Sequence, residues 1–322
     1  MDPRLLSYYN RELQHIREMG GEFAEEFPKI AGRLGLSGFE CADPYVERLL
    51  ESFAFLAGRV QLKIDAQFPA FTQHLLEMVY PHYLAPTPSM AVVQMRPDPA
   101  EGALAEGFVL PRGTVLRSLI GQGEQTACEY RTAQELTLWP LELVEAEYFT
   151  HAGPVVRTDL PALRQSKGGV RLRLRTTAGL TFDKLSLNRL SLFLQGGDDL
   201  PLRLHELLLA NPVALVVQPV ERPLPWCEVL DPSAIRPSGF AEEQALLPYP
   251  PASFQGYRLL HEYFAFPNRY LFVELSGLQG ALRRCPQTEI DLIVLLSRTD
   301  RDLDNRLDAS HFALFCTCLL YT

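Results

Sequence analysis

Apolar residues over the first eighty positions recur at steps of three and four. Leu5, Tyr9, Leu13, Ile16, Phe23 and Phe27, with Gly20 on the same stripe, mark one face of a helix. Asp2-Pro3 gives it a start, an N-cap acceptor followed by a proline at the first helical position. Gly20-Gly21 is expected to weaken or bend it. A second helix should begin at Asp43-Pro44 and carry Val46, Leu49, Phe53, Leu56, Val60 and Ile64 on one face. A third is expected from about Pro69 to Tyr80, and "PHYLAPTPSM" after it reads as an extended connector.

From Ala91 onward the period shortens. "AVVQMRP", "GFVLPRGTVLRS", "CEYRTAQELTLWP", "VRLRLRT", "LSLFLQ" and "VALVVQP" are short runs bounded by Gly and Pro, the pattern of strands and turns. "LPRGTV" places Pro111 and Gly113 for a turn expected to join two strands as a hairpin. Residues 211–251 are proline-rich and read as a long, partly irregular surface segment. The predicted fold class is α+β, an N-terminal helical region followed by β-rich domains of short antiparallel strands. Three regions are expected: 1–85 helical, 86–210 β-rich, and 211–322 a proline-rich segment with an αβ unit.

"GYRLLHEYFAFPNRYLFVEL", residues 256–275, concentrates aromatics around Pro267. Tyr257, Leu260 and Phe264 lie on one side of a helix and Leu259, Tyr263 and Phe266 on another, so the helix is expected to be buried, with Pro267 ending it. The His261-Glu262 pair admits an acid–base reading, but aromatic stripes at helical spacing favour core or interface.

With 322 residues, 47% of them hydrophobic, the chain can bury a large core. No apolar run approaches the ~20 residues of a membrane helix. Charged residues follow Met1 at once, so no secretory signal is read and a cytoplasmic location is expected. The formal charge of -9 disfavours nucleic acid and anionic lipid as partners; the densest basic run is the alternating "RLRLR" at 171–175. The six cysteines are scattered and read as reduced thiols.

Candidate chemistry thins out on inspection. Asp300, Asp302 and Asp304 fit the first ligand positions of a calcium loop, but Asn305 stands where the turn needs Gly and His311 where a bidentate Glu belongs. Cys316, Cys318 and His311 offer three zinc ligands without a fourth. "GQGEQT" at 121–126 reads as a hairpin turn rather than a dinucleotide fingerprint. His74 and His82 are too far apart for a ligand pair on one helical face. No catalytic, cofactor-binding or metal residue is assigned.

Five segments in order resemble one family: "SYYNRELQHIREMGGEFAEEFPKIAGRL", "DPYVERLLESFAFLAGRVQLKID", "LLEMVYPHYLAPTPSMAVVQ", "LPRGTVL" and the 256–275 stretch. The chain resembles the TssF (VasA/ImpG) family of type VI secretion system baseplate subunits from residue 1 to about 317. The resemblance implies a non-enzymatic wedge subunit without cofactors. Two such copies would assemble with one TssG, and with TssK and TssE, to support the contractile sheath and tube on the cytoplasmic side of the inner membrane. By analogy, Tyr9, Leu13 and Ile16 become candidates for a heteromeric helical bundle. Tyr257, Leu260, Tyr263, Phe264 and Phe266 become candidates for packing or interface. Where the family continues, this sequence reads "FCTCLLYT", so residues 318–322 are expected to be a foreign end and the C-terminal region incomplete. The alternatives are a β-rich ligand-binding module, or an enzyme centred on His261 and Glu262.

Overall fold

A computed structural model describes residues 2–37, 40–98, 102–121, 123, 125–150 and 161–321. The chain forms two compact units, Met1–Ala85 and Pro86–Thr322.

The first unit is a helical hairpin. Helix α1 spans Arg4–Glu26, α2 Pro28–Arg33 and α3 Pro44–Val79. Asp2 still caps α1, its carboxylate accepting from the Arg4 N–H at 2.9 Å, and Asp43 does the same for Tyr45 at 2.9 Å. Helix α1 runs through Gly20-Gly21 without interruption. The second and third predicted helices are one, because α3 carries Pro69 inside it. Proline at that position removes one hydrogen bond to the carbonyl of Asp65, at a cost of ~3 kcal/mol. The long ladder on either side maintains the helix, and the Thr72 hydroxyl donates to the Pro69 carbonyl at 2.9 Å.

Helices α1 and α3 run antiparallel: Tyr8 donates its hydroxyl to Asp65, and Arg17 pairs with Glu47 at 3.2 Å. Between these contacts the backbones nearly touch. A Cβ on Gly58 would sit 3.1 Å from the Tyr9 nitrogen and 3.3 Å from its Cα. Ala54, one turn earlier, is fully buried.

The second unit is built on antiparallel sheets. The largest orders its strands Glu228–Leu230, Pro212–Pro219, Glu289–Leu296, Gly168–Thr176 and Leu141–Phe149. A second consists of Ile235–Pro237, Phe272–Ser276, Arg189–Leu194 and Phe312–Leu314. A third consists of Met90–Gln94, Cys316–Tyr321, Glu129–Thr132 and Val115–Arg117. The fold is therefore α+β, with sheets that draw strands from both sides of residue 210.

Alternation along the strands of the five-stranded sheet decides what each face buries. Helix α4 spans Pro161–Gln165 and α5 Leu200–Ala210. Leu172, Leu174, Leu215, Val217, Leu292 and Val294 point into the main core, where the second sheet and Leu204 of α5 also pack. On the opposite face Phe149, Ala214, Val216, Ile293 and Leu295 form a smaller cluster. Pro212–Pro219 is thus a buried inner strand within the segment expected to be irregular and superficial. Proline at each end leaves the interior of the ladder intact.

"LPRGTV" turns as expected, with Gly113 at φ +84°, but it makes no hairpin. Phe108–Leu110 pairs with Leu136–Leu138, and Val115–Arg117 with Glu129–Thr132, so the turn passes the chain from one sheet to another. In the "GQGEQT" turn, Gln122 and Glu124 lie outside the described residues.

Candidate functional site

Helix α6, Gln255–Ala265, inverts the expected polarity. Its buried residues are Arg258 and Glu262, one turn apart, both fully sequestered. The expectation of a buried aromatic helix is corrected: Phe264 is 81% exposed and Leu260 59%, and Tyr257 and Tyr263 are exposed too, while Phe266 packs against the main core. An apolar periodicity shows that a face needs covering, not which side of the helix this chain covers.

The physical reason for the inversion is the ion cluster beneath the helix. One Glu262 oxygen accepts from the backbone N–H groups of Leu246 and Leu247, each at 2.9 Å. The other lies 3.0 Å from Arg258 Nη1 and 3.1 Å from Arg269 Nε. Arg269 donates onward to the carbonyls of Gly239 and Gln244, both at 2.6 Å, and Arg258 to that of Phe240 at 3.3 Å. Two guanidinium charges face one carboxylate, and the carbonyl dipoles offset the excess. Gly239 adopts φ +103°, a conformation that leaves its carbonyl against Arg269 and suits glycine. Tyr270 donates to the Leu259 carbonyl at 3.2 Å; burial first, then the Glu262 carboxylate, pushes its hydroxyl up to about 12, so it stays a donor.

This cluster ties the loop 239–247 to α6 and to the turn before the strand Phe272–Ser276. It is a structural clamp. The carboxylate of Glu262 has no exposed surface and its lone pairs are engaged, so the His261-Glu262 pair forms no accessible acid–base centre. Sequence reasoning missed Arg258 and Arg269. The usable signal was an i, i+4 Arg-Glu pair inside an otherwise apolar segment.

The other chemical candidates also resolve into structure. Asp300 and Asp302 both pair with Arg203, and Asn305 takes a left-handed turn at φ +59°. His311 Nδ1 accepts from the Asp308 N–H at 3.2 Å, while burial pushes the Cys316 and Cys318 thiols up to about 12. Arg171, Arg173 and Arg175 of "RLRLR" alternate with buried Leu172 and Leu174 and meet acids on both neighbouring strands. Arg171 pairs with Glu145 and Glu147, Arg173 with Glu145 and Asp291, Arg175 with Glu142 and Glu289. Acids outnumber these bases, so the run offers no surface for phosphates.

The second region of interest is the helical hairpin. Tyr9, Leu13 and Ile16 are half-buried along α1. Helix α3 meets α1 through Ala54, Gly58 and Asp65, a stripe of small and polar residues. The apolar stripe Leu49, Phe53, Leu56, Val60 and Ile64 points elsewhere, with Leu49 71% and Phe53 63% exposed. The hairpin, like α6, presents its apolar residues outward. Among the described residues no helix is long and apolar enough to cross a membrane.

A curated relative, the type VI secretion system component TssF1 of Pseudomonas aeruginosa, is 58% identical over 317 residues, 98% of this chain. The match covers 51% of that relative, so the chain spans about half its length. A chain of the solved type VI secretion system TssK-TssF-TssG baseplate subcomplex superposes with a TM-score of 0.64 at 28% identity. The likeness covers 85% of this chain and 48% of that one. The family described as "Type VI secretion system, TssF" matches residues 1–320. That match runs through Cys318, Leu319 and Leu320; Cys318 pairs with Val92 of Met90–Gln94, and Leu319 and Leu320 pair with both Met90–Gln94 and Glu129–Thr132. The chain belongs to the TssF family of the type VI secretion system.

Proposed function

We propose that this chain is a non-enzymatic building block of the type VI secretion baseplate wedge. Two copies pair with one TssG-like protein and join TssK-like and TssE-like proteins, supporting the sheath and tube from the cytoplasmic side of the inner membrane. Family membership supports the baseplate role, and the solved subcomplex containing TssK, TssF and TssG supports the first two partners.

The observation that carries the reading is the outward stripe of α3. Leu49, Phe53, Leu56, Val60 and Ile64 form a continuous apolar face at coiled-coil spacing, left open because the seam with α1 uses Ala54 and Gly58. Such a face is completed by further helices; Leu13 and Ile16 of α1 are half-buried. Co-expression with a TssG-like protein, read by light scattering on a sizing column, should give a stoichiometric complex. F53E/L56E should abolish it without disturbing the sheets of the second unit. A complex unchanged in F53E/L56E removes the interface, and no complex with TssG-like and TssK-like proteins removes the function.

A further inference from the structure

The outward face of α6 is not explained by the wedge reading. Phe254, Tyr257, Leu260 and Phe264 follow steps of three and four down the whole helix, and Tyr263 and Phe240 extend the patch. The rings associate among themselves, Phe254 with Tyr257 at 5.5 Å and Tyr263 with Phe264 at 5.4 Å. A contiguous apolar patch over three helical turns, ~16 Å long, marks a surface that another segment covers.

Two observations bear on which segment that is. The curated TssF1 relative has about as much chain again outside the match. Short links also connect the strand Cys316–Tyr321 to α6. Leu319 pairs with Thr132, whose hydroxyl donates to the Pro111 carbonyl at 2.9 Å. The neighbouring Arg112 donates to the carbonyls of Glu243 and Ala245 at 3.1 and 3.0 Å. Leu246 and Leu247 are then held by Glu262 of α6. A second copy suits the face less well, because exposed Glu242 and Glu243 line the groove beside Gln255 and a two-fold contact would oppose like charges.

We propose that, in a chain of the relative's length, the polypeptide that follows residue 320 packs on the outward face of α6 and makes it an interface between two halves of one protein. This rests on the family assignment and not on the identity of the wedge partners.

Hydroxyl-radical footprinting tests it, comparing this chain with a chimaera that joins residues 1–317 to the unmatched half of P. aeruginosa TssF1. Leu260 and Phe264 should be oxidised readily in this chain and lose that reactivity in the chimaera, falling to the level of buried Phe272. L260E/F264E in the chimaera should restore proteolytic cleavage between the halves. Full-length P. aeruginosa TssF1, footprinted at the aligned positions, reads the same protection in a natural protein. Equal oxidation in the short and long forms overturns the proposal. So does protection that arises in this chain alone at high concentration, or in the long form only after a TssG-like or TssK-like protein is added. Retained co-purification with TssG-like protein alongside an unprotected α6 would separate failure here from failure of the wedge reading.

Discussion

The carboxylate of Glu262 accepts the backbone N–H of Leu246 at 2.9 Å from a position sixteen residues later, and both are buried. That bond makes one helical side chain the anchor of a loop with little regular structure of its own. Glu262→Gln keeps the shape but leaves Arg258 and Arg269 without a counter-charge, a loss of about 3–5 kcal/mol for a buried network of this kind. Denaturant unfolding should show it, together with faster hydrogen exchange at Leu246 and Leu247. Unchanged stability would mean that the carbonyls of Gly239, Phe240 and Gln244 suffice for the two cations.

Asp291→Asn should be milder. Asp291 is equally buried and binds Arg173 at 2.9 Å, but Arg173 keeps Glu145 at 3.0 Å and a partly solvated edge. A cost of about 1–3 kcal/mol is expected, that of one weakened charged hydrogen bond. The same unfolding measurement ranks the two variants.

Gly58→Ala would raise helix propensity by ~1 kcal/mol in isolation. Within α3 the new methyl meets the Tyr9 backbone at 3.1 Å and must push the helices apart, an overpacking cost of about 1–3 kcal/mol. The variant should therefore loosen the hairpin. Hydrogen exchange should quicken across α1 and α3 and stay unchanged in the sheets; slower exchange would show that the seam has room.

Thiol chemistry follows burial. Exposed Cys128 should react with iodoacetamide at pH 8, while Cys285, Cys316 and Cys318 react only on unfolding. Alkali then destabilises the fold. Unfolded thiols release protons from about 9, whereas native Cys316 and Cys318 hold theirs up to about 12, so the unfolded chain binds fewer protons in between. Stability contributed by these residues is complete below pH 9 and falls as pH rises toward 12. In a Cys316→Ala/Cys318→Ala variant this part of the alkaline loss should be reduced.

Much of the architecture is written in local patterns. Asp43-Pro44 states a helix start, and the leucines of 171–175 state a strand with one buried face. The misreading at α6 and the open stripe of α3 share a cause. Amphipathicity tells that Leu49 or Phe264 needs an apolar neighbour, but the seam a helix makes with its own chain can be the polar or small-residue side when that side satisfies charges or permits close backbone approach. Ala54-Gly58 and Arg258-Glu262, each at i, i+4, were the visible marks of those seams. The change of sheet at "LPRGTV" had no local mark, because a turn fixes the chain's direction and not its pairing partner.

The third sheet has a consequence for how the protein is made. Met90–Gln94 pairs only with Cys316–Tyr321 among the described residues, so the earliest strand of the second unit waits for the latest. At ribosomal speeds of roughly 5–20 residues per second, that interval is about 10–45 s, far longer than a hairpin needs to close. Throughout it an apolar strand stands with unsatisfied backbone groups on both edges. The nascent chain is therefore expected to depend on chaperone shielding until residue 321 has emerged, and a ribosomal pause before codon 316 should deplete soluble protein more than one placed just after residue 85.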